Sequence, residues 1–117
     1  MKNFNPKEFP EDIKFADPLL LNNLDQLCDF MRVAIYPSPV TGALARFDFS
    51  ASDSQHYAKD RLSKAIDFFC NTDPFEAWVK ILKSNLFPRF GIYFDTKFQD
   101  KKWVMFHVDL KPQDLLW

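Results

Sequence analysis

Leu20, Leu24, Leu27 and Met31 recur at spacings of three and four, which is the period of one face of an α-helix. Asp17-Pro18 stands immediately before them. An aspartate can accept the first free helical N–H, and proline costs nothing at the first helical position, where its missing N–H has no intrahelical partner. These signals predict an amphipathic helix of about four turns ending near Arg32. Val33 to Tyr36 then reads as a short strand broken by Pro37 and Pro39, and Val40 to Arg46 is a candidate for its resumption. Residues 47 to 60, rich in Ser, Asp and Ala, predict a loop. Lys64 to Cys70 is a strand candidate. Asp73 followed by Phe75, Trp78, Val79 and Leu82 predicts a second helix over Pro74 to Asn85. Arg89 to Asp95 and Lys102 to Lys111 complete the pattern as two strands joined by a polar turn around Gln99-Asp100.

Strict alternation makes the last strand the most legible piece. Val104, Phe106, Val108 and Leu110 form one face, and Trp103, Met105, His107 and Asp109 form the other. The even face belongs to the core. The preceding strand sends Phe90, Ile92 and Phe94 to the core and leaves Gly91, Tyr93 and Asp95 on the far side. Ile66 and Phe68 read as core, with Asp67 pointing away from them. One face of the sheet is therefore expected to gather His107, Asp109, Asp67, Tyr93 and Gly91. The order helix, strand, strand, helix, strand, strand predicts an α+β fold with a small, mainly antiparallel sheet and a second helix between its strands. Residues 1–16 alternate charge, Pro and Phe and are expected to form an N-terminal arm packed by its aromatics onto a single domain over 17–117.

Composition narrows the function classes. The chain has 117 residues, 47% hydrophobic and 26% charged, an ordinary globular balance. Fifteen basic residues oppose sixteen acidic ones for a net charge of −1, with no basic block to neutralise a run of phosphates. A sequence-independent nucleic-acid binder is not expected. No apolar stretch approaches the roughly 18 residues of a membrane span. The segment Met1 to Pro6 has no apolar core of a signal peptide, so the protein is expected to be cytoplasmic as synthesised. Cys28 and Cys70, both in apolar surroundings, are expected to be free thiols. No glycine-rich phosphate loop, serine or cysteine nucleophile context, or nominated carboxylate pair is present.

The two histidines carry the sharpest chemistry. His56, Asp67 and His107 together would offer two imidazoles and a carboxylate, a donor set that suits Zn2+ with a fourth position left open. The alternative is a His56 in a polar surface loop and a His107 hydrogen-bonded within its strand. Ser54-Gln55-His56, Ala65-Ile66-Asp67, Phe90-Gly91-Ile92-Tyr93 and Phe106-His107-Val108-Asp109 follow one another in that order. This series resembles the zinc peptidases of the D-Ala-D-Ala carboxypeptidase and hedgehog superfamily, especially its small divergent phage-encoded branch. The resemblance spans roughly residues 18–112. It implies that a Ser-x-His element and an Ala-x-Asp element supply the first two ligands, and a late-strand histidine the third.

The resemblance further implies hydrolysis of peptide bonds in peptidoglycan stem peptides, with holin-like release from the host cytoplasm or incorporation in a virion. It places Arg46 where a guanidinium would steady oxyanion charge or grip a carboxylate. An ion-paired surface arginine is the alternative. Three departures stand out. The interval from His56 to Asp67 is longer than the family's, and Lys59 replaces a family glycine. The family's general-base position, three residues before the last histidine, is Val104, which cannot take a proton. Asp109 is then the candidate base, or else a carboxylate that holds the His107 imidazole N–H. Asp95 is a weaker base candidate, with strand-end turn chemistry as its alternative. Trp103, Met105 and Tyr93 either wall a substrate groove or are buried against the arm. Beyond the peptidase, the sequence admits a catalytically inactive relative serving as a structural or binding component of a phage particle. It also admits a metal-free interaction module.

Overall fold

Asp17 caps the first helix as the spacing predicts, its carboxylate accepting the Leu19 N–H at 2.9 Å. The computed structural model describes residues 1–94 and 103–112. Helix α1 runs over Pro18–Met31 and stops where Arg32 turns left-handed at φ 57°. Its four predicted core residues, Leu20, Leu24, Leu27 and Met31, are completely buried. Strand β1 (Ile35–Pro37) follows, then β2 (Ala65–Cys70), α2 (Pro74–Ser84), β3 (Arg89–Tyr93) and β4 (Met105–Asp109). The four strands form one sheet in the order β1-β2-β4-β3, with every neighbouring pair antiparallel. The α+β expectation holds.

One face of the sheet carries Ile66, Phe68, Phe106 and Val108 into a core shared with α1 and with Ala77 and Ile81 of α2. Phe4 and Phe9 from the N-terminal arm join that core, while Phe15 packs edge-on against Phe47 with ring centroids 4.8 Å apart. No described helix is long and apolar enough to cross a membrane. Cys28 and Cys70 are both free thiols. Burial pushes the Cys70 thiol up to about 12, so it is inert as a nucleophile at neutral pH.

Four expectations need correction. Helix α2 buries Ala77 and Ile81, whereas Phe75 is 75% exposed and Leu82 also faces outward. The largest apolar residues pointed to the wrong face, because a small residue such as alanine lets a helix approach its neighbours closely. Phe94 lies beyond the end of β3 and is 69% exposed instead of entering the core. Strand β1 starts at Ile35, two residues later than expected. The stretch from Val40 to Arg46 forms no strand, since Gly42 turns the chain at φ +90°. It nevertheless returns to the edge of β2, where Ala43 O accepts the Asp67 N–H at 3.0 Å. The proposed turn at Gln99-Asp100 lies outside the described residues.

Candidate metal centre

Strand register assembles half of the site. Asp67 of β2 lies directly opposite His107 of β4, and Gly91 of β3 lies opposite His107 on its other side. Side chains that face each other across paired strands stand on the same sheet face, so the gathering expected from alternation alone is present. His107 Nδ1 comes within 2.9 Å of Asp67 Oδ1.

A loop supplies the other half. Ser54 Oγ accepts the His56 N–H at 3.1 Å, a local side-chain-to-backbone turn. Two backbone bonds of 2.8 Å each then tie the loop to residue 46: Arg46 N–H to His56 O, and Ala58 N–H to Arg46 O. Held this way, His56 is buried with its Nε2 at 3.3 Å from both Asp67 Oδ1 and His107 Nδ1. Asp67 and His107 arrive by strand pairing, and His56 by loop closure.

The outer nitrogens decide which atoms face inward. His56 Nδ1 is 3.3 Å from Leu44 O, and a carbonyl only accepts, so the tautomer with its hydrogen on Nδ1 satisfies that carbonyl and turns the Nε2 lone pair toward the centre. His107 Nε2 is 2.8 Å from Asp109 Oδ2, which likewise makes Nε2–H the donor. Three donor atoms thus converge with mutual separations of 2.9, 3.3 and 3.3 Å. Ligands in tetrahedral array at about 2.0–2.1 Å from a zinc ion stand about 3.3 Å apart. The His56, Asp67, His107 group can hold a metal ion.

Electrostatics favour a cation at that centre. Burial would raise the Asp67 carboxyl, but a hydrogen bond from His107 and the neighbouring His56 ring overcome it and hold the group below the usual carboxylate range. Burial would lower His107, yet its bonds to Asp109 and Asp67 prevail and raise it to about 9. Without metal, a proton on His107 Nδ1 serves Asp67 well and His56 poorly, given 2.9 against 3.3 Å. A divalent ion would engage all three lone pairs at once.

Arg46 lies beside this group. Its guanidinium approaches Asp67 Oδ2 at 3.9 Å, leaving Oδ1 to the centre, and its Nε–H donates to Gly42 O at 3.0 Å. The arginine also borders a cleft of about 420 Å³ shared with Glu11, Phe47 and Asp48. Comparison with known proteins finds no matching family model, curated protein or solved structure. The centre therefore stands on its geometry.

Asp109 is in a different position from that of a free base. Its side chain is fully buried. Oδ1 accepts from Arg89 Nε at 3.0 Å and from the Lys111 N–H at 3.0 Å, while Oδ2 accepts from Arg89 Nη2 at 2.7 Å and from His107 at 2.8 Å. Burial acts to raise this carboxyl, but the His107 and Arg89 bonds bring it down to about 2. Of the two roles open to it, the arrangement is that of a carboxylate holding an imidazole. Val104 packs into the core, because residues three apart on a strand lie on opposite faces. Asp95 lies outside the described residues.

Sequence reasoning missed Arg89 and Leu44. Arg89 could have been found from the β3–β4 register, since it sits opposite Asp109. Nothing local to Leu44 marks its carbonyl. On the same face, Trp103 stacks on Tyr36 with centroids 5.4 Å apart. Tyr93 is exposed, contrary to burial under the arm. At Gly91 an added Cβ would meet nothing within 4 Å, so the space beside His107 is open. A separate apolar cleft of about 470 Å³, lined by Phe75, Trp78, Ile92 and Phe94, lies toward the helices and contains none of the three ligand residues.

Proposed function

We propose that the chain is a zinc-dependent peptidase-like domain acting on peptidoglycan stem peptides, of the kind found in the D-Ala-D-Ala carboxypeptidase and hedgehog superfamily. The observation that carries this reading is the convergence of His56 Nε2, Asp67 Oδ1 and His107 Nδ1 at mutual separations of 2.9, 3.3 and 3.3 Å. Two nitrogens and one carboxylate oxygen, with an open side toward Gly91, make a donor set suited to Zn2+. A bound zinc ion would supply a Lewis acid that polarises a carbonyl and acidifies water. Leu44 O and Asp109 hold the two imidazoles in their ligating tautomers. Arg46, its side chain 43% exposed, offers positive charge to a developing oxyanion or to a substrate carboxylate.

A second reading is favoured by a specific observation. Val104 has no atom that can take a proton, and Asp109 is engaged at both oxygens, so neither is placed to serve as a general base. Acid–base assistance contributes about 10²–10⁴ in rate. Its loss suits an inactive relative that retains the metal as a structural or binding component of a phage particle.

Zinc analysis with a cell-wall turbidity assay separates the two. The enzyme reading expects about one equivalent of zinc and clearing that disappears in His107→Ala. Full zinc occupancy without hydrolysis of any peptidoglycan type would establish the inactive relative. Protein that takes up less than a tenth of an equivalent on titration would exclude both.

A further inference from the structure

We propose that Arg89 is a positioning residue for the metal centre, acting on His107 through Asp109. The inference rests on the metal reading above, and on no assumption about hydrolysis. Arg89 and Asp109 are directly paired across β3 and β4, so the register of the sheet aims the guanidinium at the carboxylate. The contact is a fork: Nε to Oδ1 at 3.0 Å and Nη2 to Oδ2 at 2.7 Å. Arg89 keeps 42% of its side chain exposed while that of Asp109 is fully buried. A partly solvated cation thus compensates a carboxylate that has no other access to water.

The fork sets the plane of the Asp109 carboxylate. A guanidinium is planar and presents paired donors, so two parallel bonds hold its partner against rotation. The Lys111 N–H fixes Oδ1 from a third direction. Oδ2 is left aimed at His107 Nε2, and this contact fixes both the tautomer and the ring angle of the imidazole. The consequence appears at the opposite nitrogen, where Nδ1, the atom that would bind the metal, points toward Asp67 Oδ1 and His56 Nε2. Arg89 touches none of the three ligand residues in this chain of contacts, yet it determines the direction of one of them.

Geometry and charge predict different outcomes on substitution. If Arg89 acted only by its charge, Arg89→Lys would behave as wild type. Arg89→Met would then bind a cation as tightly or more tightly, since positive charge near the site would be lost. If the fork matters, both variants lose the carboxylate plane and both bind metal more weakly.

The experiment is zinc titration against a chromophoric chelator for wild type, Arg89→Lys and Arg89→Met, with folding of each followed by circular dichroism. Long-range 15N–1H correlation spectra of the zinc-loaded wild type read the His107 tautomer directly. The expected result is a loss of about 10- to 100-fold in zinc affinity in both variants, and a wild-type His107 protonated at Nε2 and metal-bound at Nδ1. Folded variants within twofold of wild type, or Arg89→Lys alone at wild-type affinity, would overturn the positioning role while leaving the metal centre intact. Should neither variant fold, the spectrum decides: ligation through Nε2 would overturn the proposal. A wild type that binds no zinc would overturn the metal reading itself.

Discussion

The two histidines of the centre are held by different means. His107 sits on a regular strand between two paired neighbours, and its outer nitrogen is backed by a buried carboxylate and a guanidinium fork. His56 sits in a loop, and its outer nitrogen faces the neutral carbonyl of Leu44 at 3.3 Å. That carbonyl is itself steadied by the Ser63 hydroxyl, and the surrounding turn by the Glu11 carboxylate. Glu11 accepts the N–H groups of Gly42, Leu44 and Ala45 at 2.9, 3.0 and 2.8 Å. One half of the site is therefore as rigid as the sheet, and the other only as rigid as the closure of a long loop. Precision at a metal site comes from whatever supports its ligands, and here the two supports can fail separately.

Removing either imidazole tests the centre most severely. His107→Ala and His56→Ala are each expected to abolish zinc uptake. At zinc concentrations of 100 Kd, the wild type should gain about 2.7 kcal/mol from ligand linkage, and both variants should gain none. Thermal melts with and without zinc measure this. A variant retaining the full zinc-dependent shift would show that its histidine is not a ligand. Chelating the metal from the wild type should reverse the shift.

Glu11→Gln sharpens the comparison by loosening only the loop half. Hydrogen bonds to a charged group are worth about 1.5–3 kcal/mol, and an amide oxygen replaces them in part. A loss of about 1–3 kcal/mol is expected in urea unfolding, with zinc affinity reduced. NMR should show the His56 ring signals broadening while those of His107 stay sharp. Equal broadening of both would mean that the two halves move as one.

Acidity distinguishes the supports in another way. His107 is raised from 6.5 to about 9 in the metal-free protein. Its contribution to stability is therefore fully present below about pH 6.5 and is lost as pH rises through about 9. Zinc must displace this proton, so binding near neutrality should release about one proton from His107, and affinity should rise about tenfold per pH unit until pH 9. Calorimetry in buffers of different ionisation enthalpy counts the proton. Asp109, lowered from 3.8 to about 2, contributes stability above about pH 3.8 that disappears as pH falls through 2. No proton release on zinc binding at pH 7 would contradict the His107 assignment.

The mildest perturbation is Gly91→Val. The position has open space around it, and a β-branched residue suits a strand. Stability and zinc stoichiometry are expected to change by less than about 0.5 kcal/mol and not at all, respectively. Any peptide hydrolysis should fall, because the new side chain projects into the open side of His107. Unchanged hydrolysis would mean that substrate approaches from elsewhere.

Much of the fold could be read from local pattern. Alternation along β4 separated Phe106 and Val108 from His107 and Asp109, and burial agrees for the core pair. The cap and spacing of α1 identified its buried face. The same logic failed for α2, where size suggested Phe75 and Leu82 but packing selected Ala77 and Ile81. The failure has a physical origin: periodicity locates a stripe only when its apolar residues are confined to one side, and α2 carries them on more than one. In the site, the residues singled out by the motif resemblance, His56, Asp67, His107 and Arg46, lie together. It could not distinguish the roles of Asp109, since that choice depends on the arginine it meets across the sheet.

By itself, then, the amino-acid order determined which residues lean toward helix or strand, where helices begin, and which side chains share a strand face. Each follows from sterics and hydrogen bonding among residues a few positions apart. Tertiary structure alone decided that His56 reaches Asp67 and His107, that Leu44 and Asp109 orient the rings, and that Arg89 closes on Asp109. These contacts join residues 11, 12, 20 and 51 positions apart, as well as the near neighbours His107 and Asp109. Their geometry depends on how loops close and how strands register, which no local preference specifies.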